Sequence, residues 1–174
     1  MNLNFENMPT KLKNLTDLLE HELQDLYSAE NQITEALPKM AKSATNAKLK
    51  KAFEDHLKQT KTQIERLEKV GKDLDMKVDG PICKGMKGLI KEGEDMIEKK
   101  ADKAVHDAGL ITAAQRVEHY EMAGYGTVLA YMKALDLKDA ADLLAKTLEE
   151  EKQTDEKLSK LAEEINKEAI KNSK

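Results

Sequence analysis

Apolar residues recur at helical spacing along four long stretches of this chain. In the first, about residues 12–42, Leu15, Leu18/Leu19, Leu26, Ile33 and Leu37 fall on one face, the spacing of an amphipathic helix. Pro38 sits late in that stretch, where its missing N–H and its ring would kink or end a helix. The pattern breaks around Ser43–Asn46, and Asn46 is suited to cap the next helix. That second helix is predicted over about 47–76, with Leu49, Ala52/Phe53, Leu57, Ile64, Leu67 and Val70 inward. Gly80, Pro81, Gly85, Gly88 and Gly93 punctuate the next segment, which holds one short amphipathic piece at about 86–97. Helices over about 101–135 and 138–170 complete the pattern.

The links inside the first and second pairs are a few residues long, so each pair is an antiparallel hairpin. The connection between the pairs is about thirty residues, far more than a tight turn needs. The expected fold is therefore all-α, a single domain over 1–174. It is a four-helix bundle with one long crossover carrying a short helix, the ferritin-like arrangement among four-helix topologies.

Composition narrows the function. Charged residues make up 36% of the chain, yet 29 basic against 33 acidic residues leave a net charge of only −4, with both signs interspersed. No basic stripe suggests nucleic acid. Aromatics are 3% and Trp is absent, so Leu, Ile, Ala, Val and Met build the core, a set suited to helices. No apolar run approaches the roughly 20 residues that span a bilayer. The start, Met1 to Glu6, has no basic stretch leading into an apolar core, so no signal peptide is expected. Cys83 is the single cysteine, which excludes an intrachain disulfide and suits a reducing, cytoplasmic setting.

The chemistry lies where the apolar stripes are interrupted. Glu30 stands between Leu26 and Ile33, and His56 with Gln59/Thr60 stands between Phe53 and Ile64. In the third long helix Glu118 and Glu121 fall between Ala114 and Tyr125; in the fourth, Glu151 and Asp155 fall between Leu148 and Leu158. At about 1.5 Å of rise per residue, facing side chains of each hairpin stand at matching depth, roughly 15–27 Å from their turns. Buried carboxylates cost several kcal/mol each unless paired or metal-bound. Two divalent ions shared by Glu30, His56, Glu118, Glu121, Glu151 and Asp155 would account for them. Dimetal bundles use Glu-x-x-His on two of their helices. Here the residues three before His21, His56, His106 and His119 are Leu18, Phe53, Lys103 and Arg116, so no such motif exists. The contrasting reading places these acids at helix edges, or pairs them with one another, His56 and Arg66 in a metal-free core. His21, His106 and His119 leave the apolar stripes and are read as solvated. The four tyrosines are read as packing residues with partnered hydroxyls, the alternative being that Tyr27 or Tyr125 lies beside a metal, and Cys83 is read as structural.

The segments Asp25-Leu-Tyr-Ser-Ala-Glu30, Ala52-Phe-Glu-Asp-His-Leu57, Gln63-Ile-Glu-Arg-Leu67, Ala113-Ala-Gln-Arg-Val-Glu-His-Tyr-Glu121 and Thr147-Leu-Glu-Glu-Glu-Lys152 carry a family resemblance. With Tyr125-Gly126 and Asp155, they resemble the YciE/YciF ferritin-like stress proteins of bacteria over about Leu15 to Ala162. The resemblance implies a homodimeric stress-response protein of rubrerythrin-like shape, with Glu30, His56, Glu118, Glu121, Glu151 and Asp155 as candidate metal ligands. Iron, two ions per chain, is the expected cofactor and manganese a variant. The small partner would be O2, peroxide or Fe(II). Relatives often carry Glu where this chain has Gln59, and an amide brings no charge to a hard cation. The alternative is a structural or binding protein with a degenerate, metal-free site.

Overall fold

The computed structural model of the protein describes residues 11–171, so the reading of the first residues as free of a signal peptide lies outside the described residues. The described chain is all helix and loop: α1 (Leu15–Ser43), α2 (Ala47–Asp73), α3 (Lys84–Glu98), α4 (Lys103–Ala134) and α5 (Lys138–Lys171). The helices α1 and α2 form one hairpin and α4 and α5 the other, with α1 against α4 and α2 against α5. The four long helices thus close a ring, and the crossover helix α3 lies along the α1/α4 side.

Local chemistry sets the boundaries. Asn14 caps α1 by accepting from Asp17 N, and Asn46 caps α2 by accepting from Lys48 N and Leu49 N. Pro38 does not end α1, which runs on to Ser43; the proline is exposed, so its ring faces solvent. The second helix stops at Asp73, three residues before the expected end, because Asp75 turns left-handed at φ 53°. Asp75 N then reaches Lys72 O and Met76 N reaches Gly71 O, closing a Schellman motif. The same device ends α4: Asp136 has φ 58°, with Asp136 N to Lys133 O and Leu137 N to Met132 O. Asp is one of the few side chains that tolerates this conformation.

The core divides into layers. One apolar cluster takes Leu49 and Phe53 of α2, Leu110 and Ala114 of α4, and Leu158 and Ile165 of α5. The other takes Leu19 and Leu23 of α1, Leu67 of α2, Val128 of α4 and Leu144 of α5. Between them every long helix presents buried polar groups: Glu30; His56, Thr60 and Gln63; Glu118 and Glu121; Thr147 and Glu151.

Candidate metal centre

Each residue of this polar layer is positioned by the apolar residues a turn away on its own helix. On α4, Glu118 and Glu121 sit one turn apart between Ala114 and Tyr125, so both carboxylates face inward. On α5 the buried line runs Leu144, Thr147, Glu151, Leu158, and on α2 it runs Phe53, His56, Thr60, Gln63, Leu67. Glu30 follows Leu26 on α1 and completes the layer.

His56, Glu118, Glu121 and Glu151 each turn one ligand atom into a space where all four atoms lie within 4.8 Å of one another. His56 Nε2 is 3.3 Å from Glu118 Oε1 and 4.0 Å from Glu151 Oε2, without hydrogen-bond alignment to either. Glu30 adjoins the group through Tyr125, whose hydroxyl donates to Glu30 Oε1. Gln63 Nε2 donates to Glu151 Oε1 and, at 3.2 Å, to Glu150 Oε2. Arg66 grips Glu150 with two bonds of 2.5 and 2.8 Å and reaches Thr147 Oγ1 at 3.1 Å.

The donor atoms of the layer are largely unsatisfied. Both oxygens of Glu121 and both ring nitrogens of His56 lack any hydrogen bond, as do Glu30 Oε2, Glu118 Oε2, Glu151 Oε2 and Gln63 Oε1. Native interiors hold few such atoms, and each costs about 1–3 kcal/mol or more. Burial, reinforced by mutual repulsion, raises the carboxyls of Glu30, Glu118 and Glu121 well above the ordinary range. Burial also raises Glu151, but only to about 7, because the neighbouring Glu118 carboxyl, then the Gln63 amide and the Arg66 charge, favour its ionised form. Burial pushes the His56 imidazole down to about 4, leaving it neutral and able to ligate. Four carboxylates and a neutral imidazole are a donor set for hard or borderline divalent cations, and four negative charges match two such ions.

Of the six candidate ligands named from the sequence, four converge, His56, Glu118, Glu121 and Glu151, and Glu30 is buried beside them in the same layer. Asp155 is half-buried at the rim, accepts from Gln115 Nε2 at 3.0 Å, and lies 3.5 Å from His119 Nε2. Gln59 is likewise only half-buried, while Gln63 takes the inward place that the periodicity assigned to Ile64. The signal was the spacing His56, Thr60, Gln63, Leu67, one continuous inward line. His21 and His119 are exposed as expected, but His106 is partly buried, with Nε2 2.8 Å from Ser43 Oγ. Tyr125 lies beside the cluster, whereas Tyr27 turns outward to Glu68. Cys83 is buried, receives a hydrogen bond from Met86 N at the start of α3, and contacts Tyr120 O–H at 2.9 Å.

Two clefts reach the centre. A polar one of about 200 Å³ between α2 and α5 is rimmed by Asp55, Gln59, Gln153 and Lys157, with His56 and Glu118 at its floor. An apolar one lies under α3 and ends on the same two residues.

Residues 14–171 match the family described as a domain of unknown function (DUF892). Protein YciF of Escherichia coli K12 is 46% identical over 160 residues, 91% of this chain and 96% of that protein. The crystal structure of the E. coli stress protein YciF superposes with a TM-score of 0.87 at 45% identity, covering 90% of this chain and 99% of that one. YcfI of Rhodopseudomonas palustris, described as a putative structural protein, superposes at 0.84 and 44%, covering 88% and 98%. A Xanthomonas campestris protein shares the fold at 20% identity, with a TM-score of 0.71 over 91% of this chain and 97% of its own.

Proposed function

The chain belongs to the DUF892 family, that of the stress protein YciF, and from this premise we propose that it is a dimetal protein of ferritin-like type. Iron is the metal of this reading and manganese its closest substitute. The role is the handling of dioxygen, peroxide or Fe(II) in a stressed cell. The observation that carries it is the set of orphaned donor atoms facing one another in a layer contributed by all four long helices. Glu118, Glu121, Glu151, His56 and Glu30 would hold the ions. Bound there, a pair of redox-active ions supplies electron exchange with a small oxidant.

The chain's own residues contribute the rest. Gln63 fixes Glu151, and the Arg66–Glu150 pair holds Gln63 against it. Tyr125 directs its hydroxyl proton at Glu30 Oε1 and leaves Glu30 Oε2 free to turn inward. The Asp55 and Gln59 rim offers a hydrated cation a polar way in, and the flanking apolar layers keep bulk water out. Homodimerisation and a cytoplasmic setting belong to the same reading; among the described residues no helix is long and apolar enough to cross a membrane.

A metal-free structural role is the second reading, favoured by the hydrogen bonds from Gln63 and Tyr125 that already serve two of the carboxylates. Elemental analysis after anaerobic Fe(II) loading separates the two. The dimetal reading expects about two ions per chain, lost in a Glu118→Ala/Glu151→Ala double variant. An equal, sub-stoichiometric content in both proteins would falsify it.

A further inference from the structure

The helix α3 covers a cavity whose walls are Ile33 and Met40 of α1, Ile90 and Gly93 of α3, and Ala114 and Val117 of α4. Its volume is about 40 Å³, and its inner end is formed by His56 and Glu118. The same two residues floor the polar cleft on the α2/α5 side, so the centre is approached from two faces of unlike chemistry. The apolar side has room for about three or four water-sized spheres, at about 10–15 Å³ each, but a held water needs two to four polar partners. The aliphatic walls supply none, leaving polar groups only at the two ends, and apolar cavities take up apolar guests such as xenon. At the mouth, Lys39 Nζ and Glu94 Oε1 form an ion pair of 2.8 Å that joins α1 to α3. A hydrated cation or a peroxide would lose its hydrogen bonds on entering; a small apolar molecule loses nothing.

We propose that this cavity is a binding site for a small apolar gas of the dioxygen class. It places the gas beside His56 and Glu118 while cations and peroxide use the polar cleft. The binding site stands on the cavity alone; its delivery role rests on the dimetal reading above.

The wall offers clean variants. A Cβ added at Gly93 would sit 3.7 Å from Ala113 Cβ and 3.9 Å from Met40 Sδ, ordinary contact, so Gly93→Ala intrudes without forcing the helices apart. Gly93→Val and Ala114→Val intrude further. Crystals of the full chain under xenon pressure test the site directly. Xenon in the cavity of the wild type, with occupancy reduced in Gly93→Ala and lost in the valine variants, is the expected result. Wild-type crystals with no xenon there overturn the proposal whatever the metal content. The delivery role is read from stopped-flow oxidation of the Fe(II)-loaded chain by each oxidant. A valine variant should slow the reaction with dioxygen about tenfold, a barrier of about 1.4 kcal/mol, and leave that with peroxide unchanged. Equal effects on both oxidants, or on neither, overturn delivery. Xenon in the cavity of a chain that takes up no iron overturns the dimetal reading and leaves the gas site standing.

Discussion

Asp107 and Glu121 lie on the same helix, each with 2% or less of its surface exposed, and they are held in opposite ways. Asp107 accepts from Thr45 N at 2.8 Å, Thr45 Oγ1 at 2.7 Å and Asn46 N at 2.8 Å, closing the α1–α2 turn. Glu121 accepts from nothing and faces the carboxylates of Glu118 and Glu151 and the His56 imidazole. Burial of an acid therefore says little by itself about function. The number of donors aimed at it separates a structural brace from a candidate ligand site.

The comparison can be broken at either end. Asp107→Ala should have the largest effect, leaving two backbone N–H groups and a hydroxyl without their acceptor. A loss of about 2–4 kcal/mol in denaturant unfolding is expected, with the metal content of the folded protein unchanged. Loss of metal binding in that variant would mean the two acids are not independent.

Removing the ions comes next. If the chain is loaded at about 100 times the dissociation constant, chelation should lower stability by about 2.7 kcal/mol. For a chain of this size that corresponds to a fall of roughly 5–10 °C in melting temperature. A wild-type chain that carries two ions and melts at the same temperature after chelation would uncouple the centre from the fold.

The metal-free protein should also show a pH profile governed by this layer. A carboxyl whose folded pKa lies above its unfolded one stabilises fully below the unfolded value, and the contribution disappears as pH rises through the folded value. Glu151, raised from about 4.5 to about 7 by burial, therefore makes the metal-free chain lose stability progressively between about pH 4.5 and 7. His56 acts on the other side: its folded pKa is pushed down to about 4, so stability falls as acid protonates the unfolded imidazole from about pH 6.5 downward. The carboxyl losses begin near pH 4.5 and outweigh the single His56 gain, so this layer puts the maximum near pH 4–5, measured as the urea midpoint across the range. Loading with metal should remove this decline with rising pH, because ionised carboxylates are then ligands. The smallest effect is expected for Glu121→Gln, which removes the cost of keeping a buried acid from ionising and should stabilise the metal-free protein by about 1 kcal/mol. The same change in Asp107→Asn should destabilise, and equal signs for the two would erase the contrast.

Much of the architecture is legible in the sequence alone. Leucine spacing places the four long helices, and matching depth from the turns brings Glu30, His56, Glu118, Glu121 and Glu151 to one level. Other features are not legible. The inward phase of α2 depends on whether Ile64 or Gln63 faces the core, neighbours about 100° apart on a helix, and hydrophobicity favours the wrong one. The same small rotation on α5 leaves Asp155 at the rim and buries Thr147 and Leu161. The left-handed stops at Asp75 and Asp136 escape for a different reason: Asp tolerates positive φ but, unlike Gly, is common elsewhere in the chain and so gives only a weak signal of it. The role of Arg66 depends on a partner, Glu150, that is more than eighty positions away.

The layering of the core has a further consequence, for cooperativity. Two apolar clusters separated by repelling acids are two folding units joined in series, and each can open at a lower cost than the whole. The helix ends near the α1–α2 turn and those near the α4–α5 turn should then exchange their amide hydrogens at different rates in the metal-free chain. Ions that ligate all four helices at the boundary would act as rivets, bringing the two rates together and making the bundle unfold as one body.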